Sequence, residues 1–130
     1  MKDQRHHYSD KLEYEIDSWD LKVSLETGDE VVVVDARSED AYHAEHIPSA
    51  INIPHRLMSV ESTKHLSKSA LVITYCDGIG CNASTKGALK MLDLGFRVKE
   101  LLGGLDWWKR DGHTTHRAAT AMASTNCGCN

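Results

Sequence analysis

Leu71-Val72-Ile73-Thr74-Tyr75-Cys76-Asp77-Gly78-Ile79-Gly80-Cys81-Asn82 is the stretch whose reading decides the fold. Its first five residues are apolar or β-branched without polar alternation, the pattern of a short strand buried on both faces of a sheet. The run stops at Cys76, and a loop containing Gly78 and Gly80 follows. From about Ala83 to Leu94, the apolar residues Ala88, Leu89, Met91, Leu92 and Leu94 suit a helix that Gly95 ends. Strand, loop and helix in that order place Cys76 at the carboxyl end of a buried strand. Ligand sites of open parallel sheets gather there.

Working outward, Val31-Val32-Val33-Val34 is a second strand of the buried, β-branched kind. Ahead of it, Asp17 and Ser18 offer N-cap oxygens to a helix over Trp19 to Glu26, and Thr27-Gly28 supplies its stop. Ser38 caps a short helix through Glu39, Ala41 and Tyr42. Ile47 to Ile53 has β character punctuated by Pro48 and Pro54, and the polar stretch from Ser59 to Ser69 is predicted as a helix with irregular flanks. On the carboxyl side come a strand over Val98 to Leu102, a Gly103-Gly104 turn and a short helix over Leu105 to Arg110. Alternating strands and helices predict an α/β domain with a mainly parallel sheet. The expected organisation is a polar lead over 1–14, one domain over 15–112 and a loosely packed tail over 113–130, because the tail has no apolar periodicity.

The chain has 130 residues and 41% hydrophobic content, enough for one core and little more. Its net charge is -4, from 15 basic and 19 acidic residues. Nucleic acid or an anionic membrane would favour a basic surface, so neither is an expected partner. No stretch has the apolar length of a membrane span, and Met1 to Asp10 lacks the apolar core of a secretory leader. The expected location is the cytoplasm. The cysteines form two pairs, Cys76/Cys81 and Cys127/Cys129, and in a reducing compartment they read first as reactive or metal-binding thiols. Gly128-Cys129-Asn130 has no aliphatic pair and so does not make Cys127 a prenylation site.

The loop after Cys76 can present backbone N–H groups to an anion, and a following helix N-terminus adds its positive dipole end. Both lower a thiol pKa and stabilise a thiolate or a persulfide. A buried cysteine at a strand end can equally be a small hydrophobe, and position alone leaves both readings open.

A set of motifs takes the reading further. Val33-Val34-Asp35-Ala36-Arg37, Tyr42, then His46-Ile47-Pro48-Ser49-Ala50-Ile51-Asn52-Ile53-Pro54 resembles the N-terminal signature of the rhodanese family. Val72-Ile73-Thr74-Tyr75-Cys76 is similar to its active-site approach. Leu94-Gly95-Phe96 with Gly103-Gly104-Leu105-Asp106-Trp107-Trp108 is similar to its C-terminal signature. The resemblance runs over residues 15 to 112 in order. It implies a five-stranded, mainly parallel sheet flanked by helices. It further implies a sulfurtransferase in which Cys76 carries sulfur as a persulfide between a sulfur donor and a thiol or cyanide acceptor, without a cofactor. The loop Asp77, Gly78, Ile79, Gly80, Cys81 and Asn82 would hold the sulfur, while Asp35, Arg37 and His46 would support the scaffold.

The loop departs from the family pattern. It is longer and has no arginine, and Asp77 beside the nucleophile opposes a dianion such as thiosulfate. Weak thiosulfate use is therefore expected, together with better use of a neutral or protein-bound persulfide. Phosphatases of the same fold use Cys-x5-Arg; here that position is Asn82, which cannot supply the charge. Cys81 is either a resolving thiol or, the favoured expectation, an inert small residue at the helix start. Cys127 and Cys129, with His113 and His116, match no zinc spacing well, so no metal site is assigned. Of Trp107 and Trp108, one is expected in the core and the other near the site rim. The rival to the enzyme reading is a non-catalytic module that binds a partner or senses oxidants through its thiols.

Overall fold

The computed structural model describes residues 3–118. Strands β1 (Glu15–Ile16), β2 (Val31–Asp35), β4 (Ile51–Asn52), β5 (Leu71–Tyr75) and β6 (Arg97–Leu101) form one sheet in the order β1-β6-β5-β2-β4. Every pairing in it is parallel. A two-stranded antiparallel ribbon joins β3 (Glu45–His46) to β7 (His116–Arg117). Among the described residues, five α-helices surround them, α1 (Gln4–Tyr14), α2 (Ser18–Thr27), α3 (Glu39–Ala44), α4 (Ala83–Asp93) and α5 (Gly104–Arg110), with a single 3-10 turn at His55–Leu57. The α/β class and the five-stranded parallel sheet match the expectation from the sequence.

The two valine-rich runs lie side by side at the centre, Val31 to Asp35 in register with Leu71 to Tyr75. Because strand side chains alternate, the pair feeds two cores. Val33, Ile73 and Tyr75 pack with Leu21, Leu105 and Trp108 on one face, while Val34, Val72 and Cys76 pack with Met58, Met91 and Phe96 on the other. This explains why both strands read as continuous apolar runs. Asp17 caps α2 through a bond from the Asp20 N–H, and Ser38 caps α3 through one from the Ala41 N–H. Gly28 closes α2 at φ 77, a left-handed conformation suited to glycine.

Three stretches differ from expectation. Residues 59–69 form turns rather than a helix: the Ser59 and Ser62 hydroxyls bond the backbone locally and compete with the helical ladder. Of Ile47 to Ile53, only Ile51–Asn52 is a strand, because the chain turns at Ser49, whose φ is 70. The polar lead contains α1, capped by Asp3 and with no buried residue. Its lack of an apolar face hid it from a periodicity reading.

The first part of the expected loose tail is tied down. His113 is buried, and β7 pairs with β3. The Ser18 hydroxyl donates to Asp111 and meets His113 Nε2 at 3.2 Å, and Trp19 and Trp108 flank the imidazole. Cys127 and Cys129 lie outside the described residues. Among the described residues, no helix is long and apolar enough to cross a membrane.

Candidate functional site

Cys76 directly follows β5 and is almost wholly buried, at 1% exposure. The chain leaves the sheet here through residues 77–82 and re-enters regular structure at Ala83, the first residue of α4, with Asn82 at the N-cap position. The Thr74 hydroxyl donates to the Ser84 carbonyl at 3.0 Å, locking the strand end to the helix start. Cys81 N–H bonds Gly78 O at 3.2 Å inside the loop. Among the described residues, no backbone carbonyl outside the helices and strands accepts from the N–H groups of Gly78, Ile79 and Gly80. Loop N–H groups close ahead of a helix N-terminus can favour an anion. Neither Gly78 nor Gly80 has a left-handed φ.

A second helix N-terminus holds the loop from the other side. Leu105 N–H donates to Cys76 O at 2.8 Å, and Asp106 N–H donates to Asp77 O at 2.7 Å. The approach requires glycine at 104, which has φ 57; a Cβ there would collide with the Cys76 carbonyl. This contact spans the sequence from Cys76 to Gly104 and has no local signature beyond the double glycine.

Charge enters from β2. Arg37 is buried and binds the fully buried Asp35 through Nε and Nη2, the shortest bond being 2.7 Å. Its Nη1 reaches Asp77 at 2.7 Å and its Nη2 bonds Glu45 O at 2.6 Å. Arg37 thus links the scaffold to the loop, and a cation does meet the loop although none is in its sequence. The pairing with Asp77 crosses 40 residues and could not be read from spacing. Burial alone would lower the Arg37 pKa, but bonds and charges from Asp35, then Asp77, hold it above its ordinary value. Burial pushes the Asp77 carboxyl up, and Arg37 reverses that only in part, with Asp35 and Asp106 adding to the rise. Two carboxylates facing one guanidinium leave the cluster net negative when all are ionised.

Cys81 packs, as expected of a small residue at the helix start, against the core cluster that contains Cys76. It is half-buried, and its sulfur is joined to that of Cys76 as a disulfide, with the Cα atoms 6.4 Å apart. That spacing falls within the ordinary disulfide range. Cys81 also lines a cleft of about 710 Å³ with His55, Arg56, Asn82, Lys86 and Glu100. The Ser84 and Thr85 hydroxyls both donate to Glu100 on its wall, each at 2.6 Å.

His46 lies in the β3–β7 ribbon. It bonds Tyr42 O at 2.7 Å, stacks on the Tyr42 ring and forms part of β3. Trp108 is buried and donates to Thr114 O, whereas Trp107 is 46% exposed. No group of three or more His, Cys, Asp or Glu among the described residues is arranged to hold a metal.

The model of the rhodanese-like domain family matches residues 20–111, well over half of the chain. Thiosulfate sulfurtransferase GlpE of Coxiella burnetii is 30% identical over 96 residues, covering 72% of this chain and 82% of that protein. The HTH-type transcriptional regulator Rv0324 of Mycobacterium tuberculosis is 34% identical over 83 residues, covering 64% of this chain. The match spans only 36% of the regulator's own length. The crystal structure of the BH2092 protein from Bacillus halodurans superposes with a TM-score of 0.84 at 44% identity, covering 87% of this chain and 83% of that one.

Proposed function

This chain belongs to the rhodanese-like domain family, and on that premise we propose that it is a sulfurtransferase with Cys76 as the persulfide carrier. The reduced Cys76 thiolate attacks the sulfane sulfur of a donor, forms an S–S bond and expels the remainder of the donor. A thiol or cyanide acceptor then takes the outer sulfur and returns the thiolate. The observation that carries this reading is the place of Cys76: directly after β5, at the start of the loop with Gly78 and Gly80, whose Gly78 carbonyl lies 3.9 Å from the sulfur, and ahead of the N-terminus of α4. Partial positive charge there favours both the thiolate and the anionic persulfide. Asp35 and Arg37 act as positioning residues by holding Asp77. The net negative cluster disfavours thiosulfate and leaves a persulfide of a small or protein thiol as the better donor. The cytoplasm, where thiols are kept reduced, suits this chemistry.

The test is sulfur transfer to cyanide by the reduced chain, with intact mass read after donor treatment. One added sulfur, and turnover that vanishes in Cys76→Ser, would support the carrier. A wild type that accepts no sulfur from thiosulfate or from a thiol persulfide would sink it.

A second reading, thiol redox sensing without sulfur transfer, is favoured by the Cys76–Cys81 disulfide. It expects reversible oxidation of the pair by peroxide and no persulfide on Cys76.

A further inference from the structure

Cys81 gives the persulfide a second fate. We propose that Cys76 and Cys81 form a sulfide-releasing pair, in which Cys81 resolves the Cys76 persulfide and a thiol reductant, entering by the adjoining cleft, resets the disulfide. The inference rests on the persulfide reading and adds a product, hydrogen sulfide, and a co-substrate class, a reducing thiol.

The geometry supports the first step. The two sulfurs are bonded at a Cα separation of 6.4 Å, with Cys76 directly after β5 and Cys81 two residues before α4. A Cys81 thiolate attacking the outer sulfur would only move the persulfide to Cys81. Attack on Cys76 Sγ, the sulfur it meets in the structure, forms the Cys76–Cys81 bond and breaks the Cys76 S–S bond. The outer sulfur leaves as HS⁻, taking both electrons of that bond, and no outside oxidant is needed.

The unequal burial of the two sulfurs sets the order of the second step. Cys76 is 1% exposed, whereas Cys81 is half-buried and lines the cleft beside His55, Arg56, Lys86 and Glu100. An incoming thiolate therefore attacks Cys81 and forms a mixed disulfide there. Cys76 leaves as the thiolate that the loop and the helix N-terminus stabilise. A second thiol frees Cys81, so two reductant thiols become one disulfide for each sulfane sulfur released as sulfide. Cleft walls of both charges suit a reductant carrying both an ammonium and carboxylates.

The full chain, reduced and kept under argon, would be treated with one equivalent of glutathione persulfide and desalted at once. Sulfide and intact mass would then be followed against a donor-free reference. Wild type should end at the disulfide mass with one sulfide released per chain, and dithiothreitol should restore the dithiol. Cys81→Ser and Cys81→Ala should instead keep one added sulfur, with sulfide release reduced about tenfold or more. A wild type that holds its persulfide as long as these variants would overturn the pair while leaving the carrier intact. Failure of all three chains to gain sulfur would remove carrier and pair together.

Discussion

Two polar networks meet at Glu45, and they are built in opposite ways. Beneath the site, Arg37 is buried between the fully buried Asp35 and the partly exposed Asp77. At the rim, the Glu45 carboxylate takes bonds from Lys109 at 2.9 Å and the Thr115 hydroxyl at 2.6 Å, holding the chain as it enters β7. Arg37 also binds the Glu45 carbonyl, so the networks adjoin through one residue. In the first, removing one member strands a charge in the core. In the second, Lys109 is half exposed, so water can replace its cation when it is lost. A buried cation therefore makes the site all-or-none, and a half-exposed one, Lys109, makes the rim adjustable.

Arg37→Ala gives the sharpest contrast. It leaves Asp35 buried without its cation and should cost about 3–5 kcal/mol in urea unfolding, with loss of sulfur transfer. A cost below about 1 kcal/mol would end the claim that this network anchors the site. Gly104→Ala comes next. Its Cβ would press on the Cys76 carbonyl from a left-handed backbone, for an expected loss of about 1–3 kcal/mol. Persulfide loading should fall with it, and stability and loading unaffected by the methyl group would mean that α5 does not position the loop.

Asp77→Asn tests charge more than stability. It removes one negative charge beside Cys76 and releases an Arg37 donor, so thiosulfate turnover should rise roughly fivefold, the effect of about 1 kcal/mol. Unchanged turnover would locate the substrate preference elsewhere, in the cleft with Arg56 and Lys86.

The smallest effects belong to the rim. Lys109→Ala should cost under about 1 kcal/mol, with faster amide exchange at Ala118, whose N–H bonds Ala44 O at 3.3 Å. The two networks should also answer acid in opposite senses. Burial tends to raise the Glu45 carboxyl, but bonds from Thr115 and Lys109 and the charges of Lys109 and Arg117 leave it below its ordinary value. Its contribution is present above that ordinary value and fades as pH falls through the lowered one. Asp77, raised by burial, favours the fold while protonated, and that contribution is lost as pH rises through its raised pKa. Exchange measured from neutral to acid pH should therefore show β7 loosening in the wild type but not in Glu45→Gln. Equal acid sensitivity in both proteins would remove Glu45 as the cause.

Much of the fold was legible because its central strands are unusually plain. Val31 to Val34 and Leu71 to Tyr75 can satisfy so many apolar side chains only when covered on both faces, and the caps at Asp17 and Ser38 mark their helices locally. Helix α1 and the turns of 59–69 were not legible. The first has no buried face, and the second is decided by serine hydroxyls competing with backbone bonds.

By itself the sequence determined the α/β class, the order of the central elements and the placing of Cys76 between a strand and a helix. These follow from periodicity and local capping, which act over a few residues. Tertiary structure alone decided that Arg37 meets Asp77, that Gly104 touches the Cys76 carbonyl, and that Cys81, packed at the helix start, also reaches Cys76. The first two contacts join segments far apart along the chain, so their geometry exists only once the parallel sheet brings the strand ends together. The third depends on the path of a loop pinned between α4 and α5, which the number of residues between two cysteines permits but does not impose.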